Sequence, residues 1–133
     1  MQVLQPWGWQ EPRGFVNGVV ARGRLVFTAG QIGWDARNHL CSPHMPEQVR
    51  QALHNVLAVV EEAGGTREDI VRLTWFITDK REYGDNQKEI GDVYRQIMGR
   101  HYPAMSVVEV ASLLEDGAKV EIEATAVVPD PAQ

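Results

Sequence analysis

Within six residues, His39-Leu40-Cys41-Ser42-Pro43-His44 brings together two imidazoles and the chain's single thiol, side chains that bind soft or borderline metals. Their spacing matches no closed zinc pattern and no fourth ligand is evident. The stretch therefore reads as a surface loop, and no metal is expected. One cysteine cannot close an internal disulfide, which agrees with a reducing compartment. The other candidates for chemistry are Glu121 and Glu123, in Val120-Glu121-Ile122-Glu123-Ala124-Thr125-Ala126. On a strand these two carboxylates share a face with Thr125. That pattern fits a solvated strand face as well as it fits a proton-moving site.

The elements that must position these residues follow from periodicity. In residues 102–128, Met105, Val107 and Ala111 point one way, while Val108, Val110 and Leu114 point the other, so two long strands beside a tight turn at Glu115-Asp116-Gly117 need cover on both faces. Before them, residues 14–21 read as a first strand, Arg22-Gly23-Arg24 as a tight turn, and residues 25–29 as a second strand pairing back as a hairpin ended by Gly30. After Pro46, Val49, Leu53, Val56, Leu57 and Val60 recur at helical spacing up to Gly64-Gly65. In residues 70–78, Val71, Leu73, Trp75 and Ile77 alternate with Arg72, Thr74, Phe76 and Thr78. A second helix follows over about 81–98, with Ile90, Val93, Tyr94, Ile97 and Met98 on one stripe and Gly99 as its stop. The order β-β-α-β-α-β-β describes one α+β domain over residues 1–133, with a lead at 1–13 and a tail at 129–133 that Pro129 and Pro131 keep out of the sheet. Two helices cover one face of such a sheet and leave the other bare, which predicts an oligomer. Trp75 reads as core; Trp7, Trp9 and Trp34 sit in loops, where they cover a cleft mouth or pack on a neighbour.

Composition narrows the classes. At 133 residues the chain can bury roughly two thirds of its unfolded surface, enough for one core. A net charge of −5 without a basic cluster disfavours nucleic acid as a partner, because that affinity rests on Lys and Arg neutralising phosphates. No apolar run approaches the ~20 residues that span a bilayer, and the Met1 end lacks the basic-then-apolar order of a signal peptide; no membrane and a cytoplasmic location are expected.

Three segments carry a resemblance to a known family. Pro103-Ala104-Met105-Ser106, Val108-Glu109-Val110-Ala111 and residues 120–126 resemble the PARS, VEVA and VEIEAxA pieces that close proteins of the Rid (reactive intermediate deaminase, YjgF-like) family. Thr28-Ala29-Gly30-Gln31-Ile32 resembles its TSGQI, and Gln51-Ala52-Leu53-His54-Asn55-Val56 its QxxxNV. The resemblance implies a chorismate-mutase-like α+β fold, closure of three sheets into a trimeric barrel, and a small-molecule cleft at each subunit interface. It implies hydrolysis of enamines or imines to ammonia and a keto acid, without metal or cofactor.

Carried over residue by residue, the resemblance puts the water-activating carboxylate at Glu121 and a supporting backbone amide at Gly30. The substrate-carboxylate Arg of PARS is replaced by Met105. Phe15 stands where the family often has Tyr, Ala29 replaces a Ser, and Gly91 falls near a frequent Asn. With Val107, these residues imply a cleft more apolar than usual and an altered specificity; Arg24, or an Arg of another subunit, is the candidate substitute for the lost charge. The alternative is a non-catalytic small-molecule-binding trimer, with Met105 packing at the seam. An RNA-cleaving role is disfavoured by the acidic charge.

Overall fold

The apolar stripe that begins at Val49 becomes the buried face of helix α1 (Met45–Glu62), with Val49, Leu53, Val56 and Val60 fully buried, in a computed structural model that describes residues 1–131. Ala132 and Gln133, the end of the expected tail, lie outside the described residues. Helix α1 starts with Pro46 in its first turn, where the missing N–H is no loss, and is followed by Gly64 at a φ of 84°, a left-handed conformation that suits glycine.

Six strands accompany it: β1 (Gln2–Leu4), β2 (Gly18–Val20), β3 (Arg24–Phe27), β4 (Ile70–Ile77), β5 (Ala104–Glu109) and β6 (Val120–Val128). The main sheet has the order β3-β6-β4-β5. Strand β6 is antiparallel to both neighbours and β5 runs parallel to β4. The crossover from β4 to β5 passes through α2 (Lys80–Asp85) and α3 (Gln87–Met98). Ile90, Val93, Tyr94 and Ile97 of α3 meet the α1 stripe, Leu73, Trp75 and Ile77 of β4, and alternate residues of β6 in one core on one face of the sheet. The α+β architecture with helices on one face therefore stands as expected, and Trp75 is core at 3% exposure.

Four local expectations are corrected. The first hairpin does not form: β2 pairs with β1, inside the lead, while β3 pairs with β6. The Arg22-Gly23-Arg24 stretch is instead where the chain passes the end of β6, and a Cβ on Gly23 would lie 2.3 Å from the Val128 carbonyl oxygen. The closing pair is not adjacent either. Strand β4 lies between β5 and β6, so residues 110–119 cross between non-adjacent strands; the expected tight turn is there, closed by the Ala118 N–H donating to the Glu115 carbonyl at 3.1 Å, and Leu114 beside it is wholly exposed. A β-bulge between Ile70 and Arg72 makes Val71 the extra residue, so Ile70 takes the core place that simple alternation assigns to Val71. Finally, the second helix is broken at Asn86, whose side chain donates to the Glu82 carbonyl and divides α2 from α3.

The opposite face of the main sheet is bare. Leu25 and Phe27 of β3 are 63% and 70% exposed there, in register with Val127 and Thr125 of β6. Trp7 and Trp9 also stand exposed beside the small β1–β2 sheet. Among the described residues no helix is long and apolar enough to cross a membrane.

The start of β6 is fixed by a buried polar side chain. Gln48 of α1 is fully buried; its amide donates to the Ser42 and Gly117 carbonyls at 2.9 and 3.0 Å, and its carbonyl accepts from the Lys119 N–H at 2.8 Å. Gly33 packs on it so closely that a Cβ there would lie 2.6 Å from the Gln48 Cα. Gln48→Leu keeps the volume but strands three backbone groups, each costing about 1–3 kcal/mol when buried. We expect at least ~2 kcal/mol of destabilisation, read as a lower urea midpoint at unchanged m-value; an unchanged midpoint would show that water replaces the amide.

Candidate functional site

The free edge of β5 is lined by chain from the lead. Val16 donates its N–H to the Pro103 carbonyl at 3.3 Å and bridges Ala104 in parallel, which lays residues 13–16 along that edge. Between this segment, β5 and α3 lies a cleft of about 490 Å³. Phe15, Met105 and Val107 form its apolar side; Ile90, Gly91, Tyr94 and Arg95 of α3 form the other; Arg13 and Tyr102 also line it. Tyr94 and Tyr102 stack with ring centroids 5.4 Å apart and an interplanar angle of 13°. Trp75 joins the wall, 6.3 Å from Tyr94 and 6.5 Å from Tyr83. Its indole N–H is buried and meets no acceptor among the described residues.

The cleft is buried on its inner wall, at Trp75 and Tyr94, and carries cationic groups at an open rim. Burial pushes the Tyr94 phenol far above its ordinary pKa, with Tyr102 adding to the shift, so it is neutral and donates to the His101 carbonyl at 2.6 Å. Arg95 pairs with Asp92 at 2.5 Å, and that hydrogen bond raises its pKa above the ordinary guanidinium value. A Cβ on Gly91 would meet the Arg95 guanidinium first, at 3.5 Å, so the guanidinium lies back across the bare helix surface at Gly91.

The remaining expected site residues lie elsewhere. Gln31 and Ile122 exchange backbone hydrogen bonds at 2.8 Å in both directions, which brings Gly30 against Glu121. A Cβ on Gly30 would fall 2.6 Å from the Glu121 Oε2, so glycine is what lets the carboxylate fold onto the loop. Thr28 anchors the loop from within: its hydroxyl oxygen accepts from the Ala124 N–H at 3.0 Å. From α1, Asn55 donates to the Ile32 and Trp34 carbonyls at 3.2 and 2.9 Å, and Gln51 donates to Asn55 at 2.9 Å.

The two groups face opposite ways. Glu121 is in register with Phe76 on the bare face, whereas Met105 and Val107 are in register with Leu73 and Trp75 on the helical face. One chain thus brings Phe15, Gly91, Met105 and Val107 together and holds Ala29, Gly30 and Glu121 on the other side of the sheet. Arg24 is in neither group, since its guanidinium donates to the Ala63 carbonyl at 3.2 Å. Sequence reasoning missed Arg13 and Arg95; the signal for Arg95 was its position four residues after Gly91, on the same helix face. His39, Cys41 and His44 are exposed, His44 paired with Glu89, and among the described residues no three His, Cys, Asp or Glu side chains cluster as metal ligands.

Residues 10–128 match the family model described as endoribonuclease L-PSP. The chain is 39% identical over 116 residues to the 2-iminobutanoate/2-iminopropanoate deaminase of Salmonella typhimurium, covering 85% of this chain and 86% of the relative. The crystal structure of the Rid-family protein YyfB from Yersinia pestis superposes with a TM-score of 0.84 at 30% identity, covering 96% and 98% of the two chains. The chain belongs to the Rid family. The structure of Escherichia coli TdcF with bound serine is also similar, at a TM-score of 0.68, 36% identity and coverage of 96% and 98%. Against that Rid background Gly91 is a helix-interior glycine, destabilising by about 0.5–1 kcal/mol relative to alanine. Because an added methyl meets only the guanidinium at ordinary contact distance, Gly91→Ala should stabilise the fold by that amount in denaturant titration; a loss of stability would mean that the helix surface at Gly91 is tighter than the geometry allows.

Proposed function

We propose that this Rid protein hydrolyses imines or enamines of small reactive metabolites, at a site assembled from the cleft of one copy and the Gly30–Glu121 face of another within a homotrimer. The observation that carries this reading is the division of the site residues between two faces of one sheet. A second copy laid on the bare face at Leu25 and Phe27 removes apolar surface from water and offers a route by which Glu121 meets a neighbouring cleft. The similarity to a 2-iminobutanoate/2-iminopropanoate deaminase supports the reaction type.

The chemistry balances without a cofactor. Glu121 takes one proton from water as the oxygen adds to the C=N carbon and passes it to nitrogen; the carbinolamine so formed then gives up its hydroxyl proton to nitrogen by way of Glu121 as the C–N bond breaks, so ammonia leaves and a keto product remains. The half-buried setting of Glu121 against Gly30 limits its motion and orients the water. Met105, Phe15 and Val107 give the cleft an apolar side, which supports a substrate bulkier and more apolar than a three- or four-carbon imino acid.

Two outcomes are expected. Sedimentation equilibrium should give a species of three 14.9 kDa chains, and a stable monomer at micromolar concentration would overturn the shared site. Imines generated in situ should release ammonia faster with the protein present, and Glu121→Gln should keep the trimer while lowering turnover at least ~10²-fold. Binding without any acceleration would leave a small-molecule-binding trimer instead.

A further inference from the structure

We propose that Arg95, laid over Gly91, is the anion anchor of the cleft, and that the ligand it selects is a 2-imino or 2-keto acid carrying an aromatic side chain. This deepens the proposed function and rests on its reading of the cleft as the ligand site.

Several independent features converge on that ligand. A glycine inside α3 weakens the helix, and here it leaves the surface across which the Arg95 guanidinium lies, 3.5 Å from where a Cβ would stand. Asp92 pairs with that guanidinium at 2.5 Å while engaging only part of its five donors. The charged groups at the cleft are Arg13 and Arg95 with Asp92 beside them, a net single positive charge that matches one carboxylate. The body of the cleft is aromatic: the Tyr94–Tyr102 stack offers a flat surface, and Met105 closes on it from the strand side. Its volume of about 490 Å³ exceeds what a three-carbon acid fills.

The test separates binding from turnover. Titration calorimetry on the assembled protein uses phenylpyruvate, its methyl ester and pyruvate as probes. We expect phenylpyruvate to bind at least ~10-fold tighter than either, since a charge-assisted pair and aromatic contact each contribute at that scale. Arg95→Gln should abolish the preference for acid over ester while leaving ester binding in place. Arg95→Lys should recover part of it, because charge returns without the planar fork. Gly91→Leu, which fills the guanidinium's seat, should act like Arg95→Gln. Equal affinity for acid and ester in the wild type, or a preference that survives Arg95→Gln, would overturn the anchor. Imine hydrolysis that persists alongside that result leaves the proposed function standing, whereas Arg95-dependent binding without hydrolysis overturns the hydrolase and retains the anchor.

Discussion

Strand β6 is hydrogen-bonded on both sides and sealed on one face by helices, and that single circumstance decides the rest of the molecule. Its period of two sends Val120, Ile122, Ala124, Ala126 and Val128 into the core and leaves Glu121, Glu123, Thr125 and Val127 on the open face. A slip of one residue would bury two carboxylates and expose the core, so the register is strongly specified. The register is enforced at both ends. Gln48 clamps the approach at Gly117 and Lys119, and Gly23 admits the backbone of Val128. Glu121 is therefore held where the fold requires it.

Fixing Glu121 on the open face has a consequence for the cleft, which opens on the other. Strand β5 is an edge, and the cleft exists because α3 and residues 13–16 flank that edge without closing over it. A monomer keeps the two halves apart by the thickness of the sheet. In the proposed trimer, association would be more than cover for apolar surface, since it would let a carboxylate and an apolar cleft act on one molecule.

The elements with strong periodicity were legible in the sequence: α1, the core half of β4, and the alternation of β6 all follow from side-chain pattern, because each has one face sealed. The pairings were not. Adjacent strands such as β2 and β3 look like a hairpin locally, yet β3 gains more by completing the edge of β6, and the Gly23 contact that decides this comes from more than a hundred residues away. The bulge at Val71 and the break at Asn86 were hidden for a related reason, since each is settled by hydrogen bonds that a period does not encode. Of the candidate site, Glu121 and Gly30 stand at positions of motifs that resemble the family's, and Met105 at a position that departs from them. Arg95 was hidden because a charged residue on an amphipathic helix ordinarily faces water, and only the bare surface at Gly91 turns it toward the cleft.

The departure at Met105 then reads together with Gly91 and Arg95. Met105 makes the strand wall of the cleft apolar and deformable, while the helix wall carries the guanidinium. On the proposed anchor, a ligand with one charged and one apolar end would be oriented across the cleft, its anion toward α3 and its body against β5. A guanidinium on β5 itself would draw the anion to the strand instead. Under that proposal the position of one positive charge would set which end of the ligand lies near the sheet, and with it how a neighbouring copy's carboxylate would have to approach the reacting carbon.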